Sequence, residues 1–181
     1  MPSGPRPRPS RQRNGTWPPD KWGAVTLGRI DYYQDPYAPA PNSLVPAASA
    51  IVIDTQGRIV LQRRADNDLW ALPGGAMDLG ESLAETIVRE VREETGLDVQ
   101  PRYIVGVYTD PAHVFAYDDG EVRQEYSVCV ACDQTGGTLA LSDESTELGT
   151  FMPEEIAGLS MHERIRVRIR DYLAGEQGAV R

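Results

Sequence analysis

The sequence predicts an α/β fold, a layered sandwich of helices on a mixed or antiparallel sheet, and three observations carry that prediction. Short apolar-polar segments bounded by turn residues recur between residues 48 and 132, a capped helix interrupts them, and a second stretch of helical periodicity follows near residue 165. At 181 residues, 40% of them hydrophobic and 25% charged, the chain is long enough for one domain with its own core plus an appendage.

Taken in order, residues 1–20 lack hydrophobic periodicity, and ten of the fourteen prolines fall within residues 1–46. A disordered basic tail rich in Pro and Arg is expected at 1–20. Residues 21–44 hold Trp22, Tyr32, Tyr33 and Tyr37, aromatic surface suited to an irregular arm packed on the domain or across a homodimer. The domain is expected at 45–175. Residues 48–54 and 58–64 read as a hairpin around Thr55, Gln56 and Gly57. Ser82 with Glu85 three positions on forms a capping box, and Gly96 supplies the stop of a helix between them. Strands are expected at 103–109, 114–117 and 121–132, with Asp118, Asp119 and Gly120 as a turn. Over 161–173, Ile165, Val167, Ile169 and Leu173 recur at helical spacing, a second helix that closes the domain and leaves 176–181 as a flexible end.

Net charge is -9, unevenly spread. Arg6, Arg8, Arg11, Arg13 and Lys21 oppose only Asp20, so the first 21 residues are about +4 and the remainder near -13. Nucleic-acid binding depends on neutralising phosphates, so an acidic body argues against a nucleic-acid partner. No apolar run approaches the roughly 18 residues of a membrane span, the arginine-rich start lacks the apolar core of a secretory signal, and two cysteines are too few for a disulfide scaffold. A cytoplasmic protein without a membrane partner is expected.

On a helical wheel Leu83, Ala84, Ile87, Val88, Val91 and Thr95 share one side, with Glu90, Glu93 and Glu94 at its edge. Carboxylates three and four residues apart repel. The cluster reads either as a solvated acidic face offset by Glu85, Arg89 and Arg92 or as a platform for a hard divalent cation, which takes oxygen ligands from carboxylates, water and phosphate. The preceding Trp70, Ala71, Leu72, Pro73, Gly74 and Gly75 form a loop in which two glycines bring backbone groups close to a ligand, so a carbonyl there is a further candidate ligand.

The segment 75–97, GAMDLGESLAETIVREVREETGL, is similar to the Nudix box G-x(5)-E-x(7)-R-E-U-x-E-E-x-G-U without a departure. Gly75, Glu81, Arg89, Glu90, Glu93, Glu94 and Gly96 fill its fixed positions, Val91 and Leu97 its aliphatic ones, a pattern far more specific than a lone short motif. With the strand order, the resemblance extends over about residues 45–173. It implies a Nudix-type α/β/α sandwich whose strand-loop-helix unit hydrolyses a diphosphate with magnesium, or manganese in its place. Glu90, Glu93 and Glu94 are then the metal ligands with the Gly74 carbonyl, and Arg89 is an orienting residue paired with Glu81. A glutamate from a later loop joins them as ligand or base, Glu144 first and Glu147 second; Glu90, Glu93 and Glu144 remain alternatives for the base. Arg64 resembles a position that holds substrate phosphate, with Arg63 on the opposite face, and Arg123 or Gln124 faces the pocket.

Trp70, Phe115 and Tyr117 are candidates for base stacking or for core. Cys129 and Cys132 point to opposite faces of a strand, which disfavours zinc or redox chemistry. His113 and His162 receive no catalytic role. The expected substrate is a small-molecule nucleotide: a nucleoside diphosphate linked to a second group, such as ADP-ribose or a nucleotide sugar. A nucleoside triphosphate cut by a mutator-suppressing pyrophosphohydrolase and a non-catalytic nucleotide sensor are the alternatives.

Overall fold

The computed structural model describes residues 29–181. The expected basic tail and the first part of the aromatic arm lie outside the described residues. Chain order is β1 (Arg29–Tyr33), β2 (Ser43–Leu44), β3 (Ala47–Ile53), β4 (Ile59–Arg64), β5 (Trp70–Ala71), α1 (Leu83–Thr95), β6 (Leu97–Tyr108), β7 (His113–Tyr117), β8 (Val122–Gln124), β9 (Ser127–Gly137), β10 (Ser145–Phe151), α2 (Pro153–Ile156), α3 (Glu163–Leu173) and β11 (Ala179–Val180).

The larger sheet has the order β10-β4-β3-β9-β6-β11, with β5 added to β4. It is mixed: β3 runs parallel to β9 and β11 parallel to β6, whereas β4 with β10 and β6 with β9 are antiparallel. Alternation along its strands feeds two cores. Ile51, Ile59 and Leu61 pack with Ile156 of α2 and Ile165 and Ile169 of α3, and Ala50, Val52 and Val60 pack with Ile87 and Val91 of α1. Helices therefore cover both faces, the expected α/β/α sandwich.

The capping box forms as the sequence requires: Ser82 Oγ accepts from the Glu85 N–H, and the Glu85 carboxylate accepts from the Ser82 N–H at 2.8 Å. The buried stripe of α1 departs from the wheel. Ala84 and Val88 are exposed, while Thr86 and Glu94 are buried beside Ile87, Val91 and Thr95. The helix is rolled toward its acidic edge because the wall it meets offers donors to Glu94.

That wall comes from a hairpin that opens. β3 and β4 pair antiparallel at Ile53 and Ile59. Toward the other end the segment 70–75 enters between them: Ala71 and Trp70 pair with Gln62 and Arg63 of β4, and the Ala50 and Ala48 N–H groups donate to the Pro73 and Gly75 carbonyls at 2.8 Å. The backbone of Gly74, at φ +146°, lies so close to β3 that a Cβ would sit 2.2 Å from the Ala48 oxygen. Gly74→Ala is therefore expected to lower stability by about 1–3 kcal/mol through backbone strain alone, read as a reduced urea midpoint. An unchanged midpoint would contradict this packing.

Four expectations are corrected. Instead of an irregular arm throughout, residues 29–33 and 43–44 form β1 and β2, which join β7 and β8 in a second sheet of order β1-β7-β8-β2. The continuous strand expected at 121–132 is two strands in different sheets, broken at Glu125 and Tyr126. There the backbone stays paired, Glu125 N–H to the His113 carbonyl and Ala47 N–H to the Tyr126 carbonyl, while the Glu125 side chain turns inward. The C-terminal end is tied down rather than free: β11 pairs with β6, the Arg181 N–H donates to the Val107 carbonyl, and its guanidinium bonds Asp171 at 3.0 Å. Of the later loop expected to carry Glu144 and Glu147, only Glu144 precedes a strand, and Glu147 lies within β10, which pairs with β4. The turn at 118–120 joins β7 to β8 as expected.

Candidate active site

The acidic edge of α1 is organised by one guanidinium. Arg89 donates from Nε to Glu81 at 2.6 Å and from Nη2 to its other oxygen at 2.9 Å, and from Nη1 to Glu90 at 2.8 Å and Glu93 at 3.1 Å. A further bond to the Ala76 carbonyl ties it to the loop. Glu81 also accepts from the Asp78 N–H and the Thr86 hydroxyl, and its bond with Arg89 holds its carboxyl down at about 2. Arg89 is correspondingly held in its charged form.

Glu94 is the deepest carboxylate of the group, 4% exposed. One oxygen accepts from the Gly74 N–H at 2.6 Å and from Gln62 Nε2 at 2.7 Å, and Gln62 is fixed in turn by the Ser145 hydroxyl. Burial, reinforced by the charges of Glu90 and Glu144, pushes its carboxyl up to about 8 against the Gly74 bond. Burial likewise raises Glu90, opposed by Arg89. The Glu90 carboxylate lies over Gly75, where a Cβ would come within 2.6 Å of its oxygen. Glu93 is exposed.

The remaining sequence candidates divide between this edge and elsewhere. Glu144, at the mouth of β10, is near enough for its charge to act on both Glu90 and Glu94, and its backbone carbonyl accepts from Ala65. Glu147 lies 3.5 Å from Arg63, which also bonds Asp68 at 2.7 Å. Arg64 forms a two-bond fork with Asp66 at 2.8 and 2.9 Å and senses Glu94 and Glu144. The Gly74 carbonyl lies outside the pairs that Pro73 and Gly75 make with β3, while its N–H serves Glu94.

Beyond the glycine loop, a cavity of about 140 Å³ opens between the two sheets and α3. Arg64, Gly74 and Gly75 line one side; Arg29, Phe115, Tyr117, Arg123 and Gln124 line others. Arg123 and Gln124, between which alternation could not choose, both reach it. Arg123 bonds Glu121 at 2.7 Å and lies over the Tyr117 ring. Trp70 is core, packed edge-on against Phe151. Cys129 and Cys132 fall into the two opposite cores, and burial pushes their thiols up to about 11 and about 12.

Sequence reasoning missed an ionic cluster that reaches the wall of this cavity. His113, fully buried, meets Asp31 at 2.6 Å and Glu125 at 3.3 Å, and Glu125 bonds Arg168 at 2.6 Å. The one available signal was Arg164 and Arg168, four residues apart beside the apolar stripe of α3. Asp31, His113 and His162 bring ligand-type atoms within 4.8 Å of one another. They do not suit a cation: the Asp31–His113 contact is already a hydrogen bond, His162 Nδ1 caps α3, and Arg29 and Arg164 stand beside them. Burial opposes ionisation of Asp31, yet His113, Arg164 and Arg29 bring its carboxyl from 3.8 to about 2. A depressed carboxyl stabilises the fold above its ordinary value and loses that contribution as pH falls through its folded value. The wild-type urea midpoint is therefore expected to fall more between about pH 4 and pH 2 than that of Asp31→Asn; parallel profiles would contradict the pairing.

Among the described residues no helix is long and apolar enough to cross a membrane. The NUDIX domain family model matches residues 43–173. A MutT-like protein of Streptomyces ambofaciens is 33% identical over 135 residues, covering 75% of this chain and 80% of that protein. An ADP-ribose pyrophosphatase of Methanocaldococcus jannaschii is 32% identical over 131 residues, covering 70% and 72%. Among solved structures, a NUDIX hydrolase from Nitrosomonas europaea matches with a TM-score of 0.61 at 19% identity, over 75% of this chain and 93% of that one, a likeness of fold.

Proposed function

The chain belongs to the Nudix family of hydrolases, and on that premise we propose that it cuts the diphosphate of a nucleoside diphosphate linked to a second group, such as ADP-ribose or a nucleotide sugar, with magnesium. The observation that carries the reading is the charge imbalance at the edge of α1. Glu81, Glu90, Glu93, Glu94 and Glu144 gather around Arg89 and Arg64, of which Arg64 is already forked to Asp66. A carboxylate-rich, oxygen-only donor set with its charge unmet suits a hard divalent cation. Glu90, Glu93, Glu94 and Glu144 would hold it, with the Gly74 carbonyl as a further donor. When bound there, magnesium, or manganese, supplies positive charge to the phosphate oxygens and aligns attacking and leaving groups.

The chain's own residues supply the rest. Water adds to one phosphorus, the bridging P–O bond breaks, and the two products leave as phosphate esters; the proton of the attacking water passes to a carboxylate, for which Glu90, Glu93 and Glu144 are the candidates. Arg89 positions Glu90 and Glu93, and Glu81 fixes Arg89. Arg64 and Arg123, which line the cavity, would hold phosphate charge. The relative named ADP-ribose pyrophosphatase supports the linked-diphosphate reading; the one named MutT-like supports a triphosphate substrate as the second reading. Incubation with magnesium and a panel of ADP-ribose, nucleotide sugars and nucleoside triphosphates separates them. AMP with ribose 5-phosphate is expected from ADP-ribose. Pyrophosphate released only from triphosphates would establish the second reading, and no product from any would overturn both.

A further inference from the structure

We propose that the cavity holds a subsite for a phosphate monoester, with Arg164 as its specificity-determining residue and Arg29 beside it, so that the preferred substrate carries a phosphate on its nucleoside besides the diphosphate that is cut. This rests on the hydrolase reading above. The chain is strongly acidic, yet Arg29, Arg64, Arg123, Arg164 and Arg168 all line this one cavity. Four have a carboxylate at bonding distance: Asp31 for Arg29 at 3.1 Å, Asp66 for Arg64, Glu121 for Arg123, and Glu125 for Arg168.

Arg164 differs. Its nearest carboxylate oxygen among the described residues is Glu125 Oε1 at 3.7 Å, the atom already bonded to Arg168. Its Nε is buried without a partner, as are those of Arg123 and Arg168, but those two guanidiniums each bond a carboxylate through a terminal nitrogen and Arg164 does not. It rests over the Phe115 ring at 5.1 Å, the ring that Arg29 approaches at 4.7 Å. Around it three arginines, Arg29, Arg164 and Arg168, face two carboxylates, Asp31 and Glu125, with His113 between them. A partly buried guanidinium with unmet donors is unfavourable unless an anion completes it. Burial and the neighbouring Arg168 and Arg29 lower its pKa to about 10, against the charges of Asp31 and Glu125.

In the reading proposed above, the scissile diphosphate lies at the acidic edge of α1, on the other side of the sheet from α3. Arg164 is on α3, whose Ile165 and Ile169 pack on the sheet face opposite to α1, and the glycine loop stands between it and Glu90. A phosphate monoester brings negative charge to this excess of positive charge and offers three acceptor oxygens to the Arg164 and Arg29 forks.

Calorimetric titration of the full chain with adenosine 5′-monophosphate and with adenosine 2′,5′- and 3′,5′-bisphosphates tests this without requiring turnover. At least one bisphosphate is expected to bind the wild type about tenfold tighter than the monophosphate. In Arg164→Gln that ratio is expected to fall to about twofold or less, with partial recovery in Arg164→Lys. Equal binding of all three ligands by the wild type overturns the subsite, even for an active hydrolase. So does retention of the ratio by a cooperatively folded Arg164→Gln protein. Inorganic phosphate binding as tightly as the bisphosphate would mark a free-anion site and also overturn it. Should Arg164→Gln fail to fold, Arg29→Gln replaces it with the same expected loss of ratio. An inactive protein that keeps the ratio separates failure of the hydrolase reading from failure of the subsite.

Discussion

Glu94→Gln is expected to lower kcat by about two to three orders of magnitude at saturating magnesium, while leaving the urea midpoint unchanged or raised. The two effects separate because Glu94 meets opposite demands. For folding, it is a carboxylate buried beside Glu90 and Glu144, its charge disfavoured by both burial and like charge. The amide is nearly isosteric, and its oxygen can accept the same bonds from the Gly74 N–H and Gln62 that the Glu94 oxygen accepts now. Folding therefore loses little and is relieved of a buried charge. Catalysis, on the proposed reading, loses an anionic donor from the cation's ligand set. Near-wild-type turnover in Glu94→Gln would remove it from the ligand set, and a large drop in stability would show that its charge is structural.

The second large effect is expected at Arg89. Arg89→Lys preserves charge but not the fork: one ammonium cannot make two bonds to Glu81, reach Glu90 and Glu93, and also bond the Ala76 carbonyl. Turnover should fall about 10- to 100-fold, the usual loss when a group that orients metal ligands is removed. The magnesium concentration for half-maximal activity should rise with it, because Glu90 and Glu93 are no longer held. A purely structural role for Arg89 would lower the amount of folded enzyme without moving that concentration. Unchanged kcat and unchanged magnesium dependence would contradict the positioning role outright.

Local signals make the central unit legible in the sequence. The Ser82–Glu85 cap, the Gly96 stop and the spacing of Glu90, Glu93 and Glu94 depend on residues within one or two helical turns, and the helix, its cap and the Glu81–Arg89 pair all form. What escaped was set by distant partners. The roll of α1 that buries Glu94 depends on Gln62, 32 positions away, which is itself held by Ser145 across 83 positions. A helical wheel sees the apolarity of Ala84 and Val88 but not donors waiting on another strand. The strand break at Glu125 was hidden for the same reason: a buried carboxylate is tolerated there because His113, 12 positions back, and Arg168, 43 positions on, meet it. The two-residue strands β2 and β11 are too short for alternation to distinguish them from coil.

The most direct test of the acidic edge of α1 as a cation platform needs no substrate. Manganese is titrated into the metal-free protein and the free ion is followed by electron paramagnetic resonance, for the wild type and for Glu93→Gln, whose exposed side chain spares the core. Uptake by the wild type that magnesium displaces, weakened about tenfold or more in Glu93→Gln, is the predicted result. Equal uptake by the two proteins, or none by either, would contradict it.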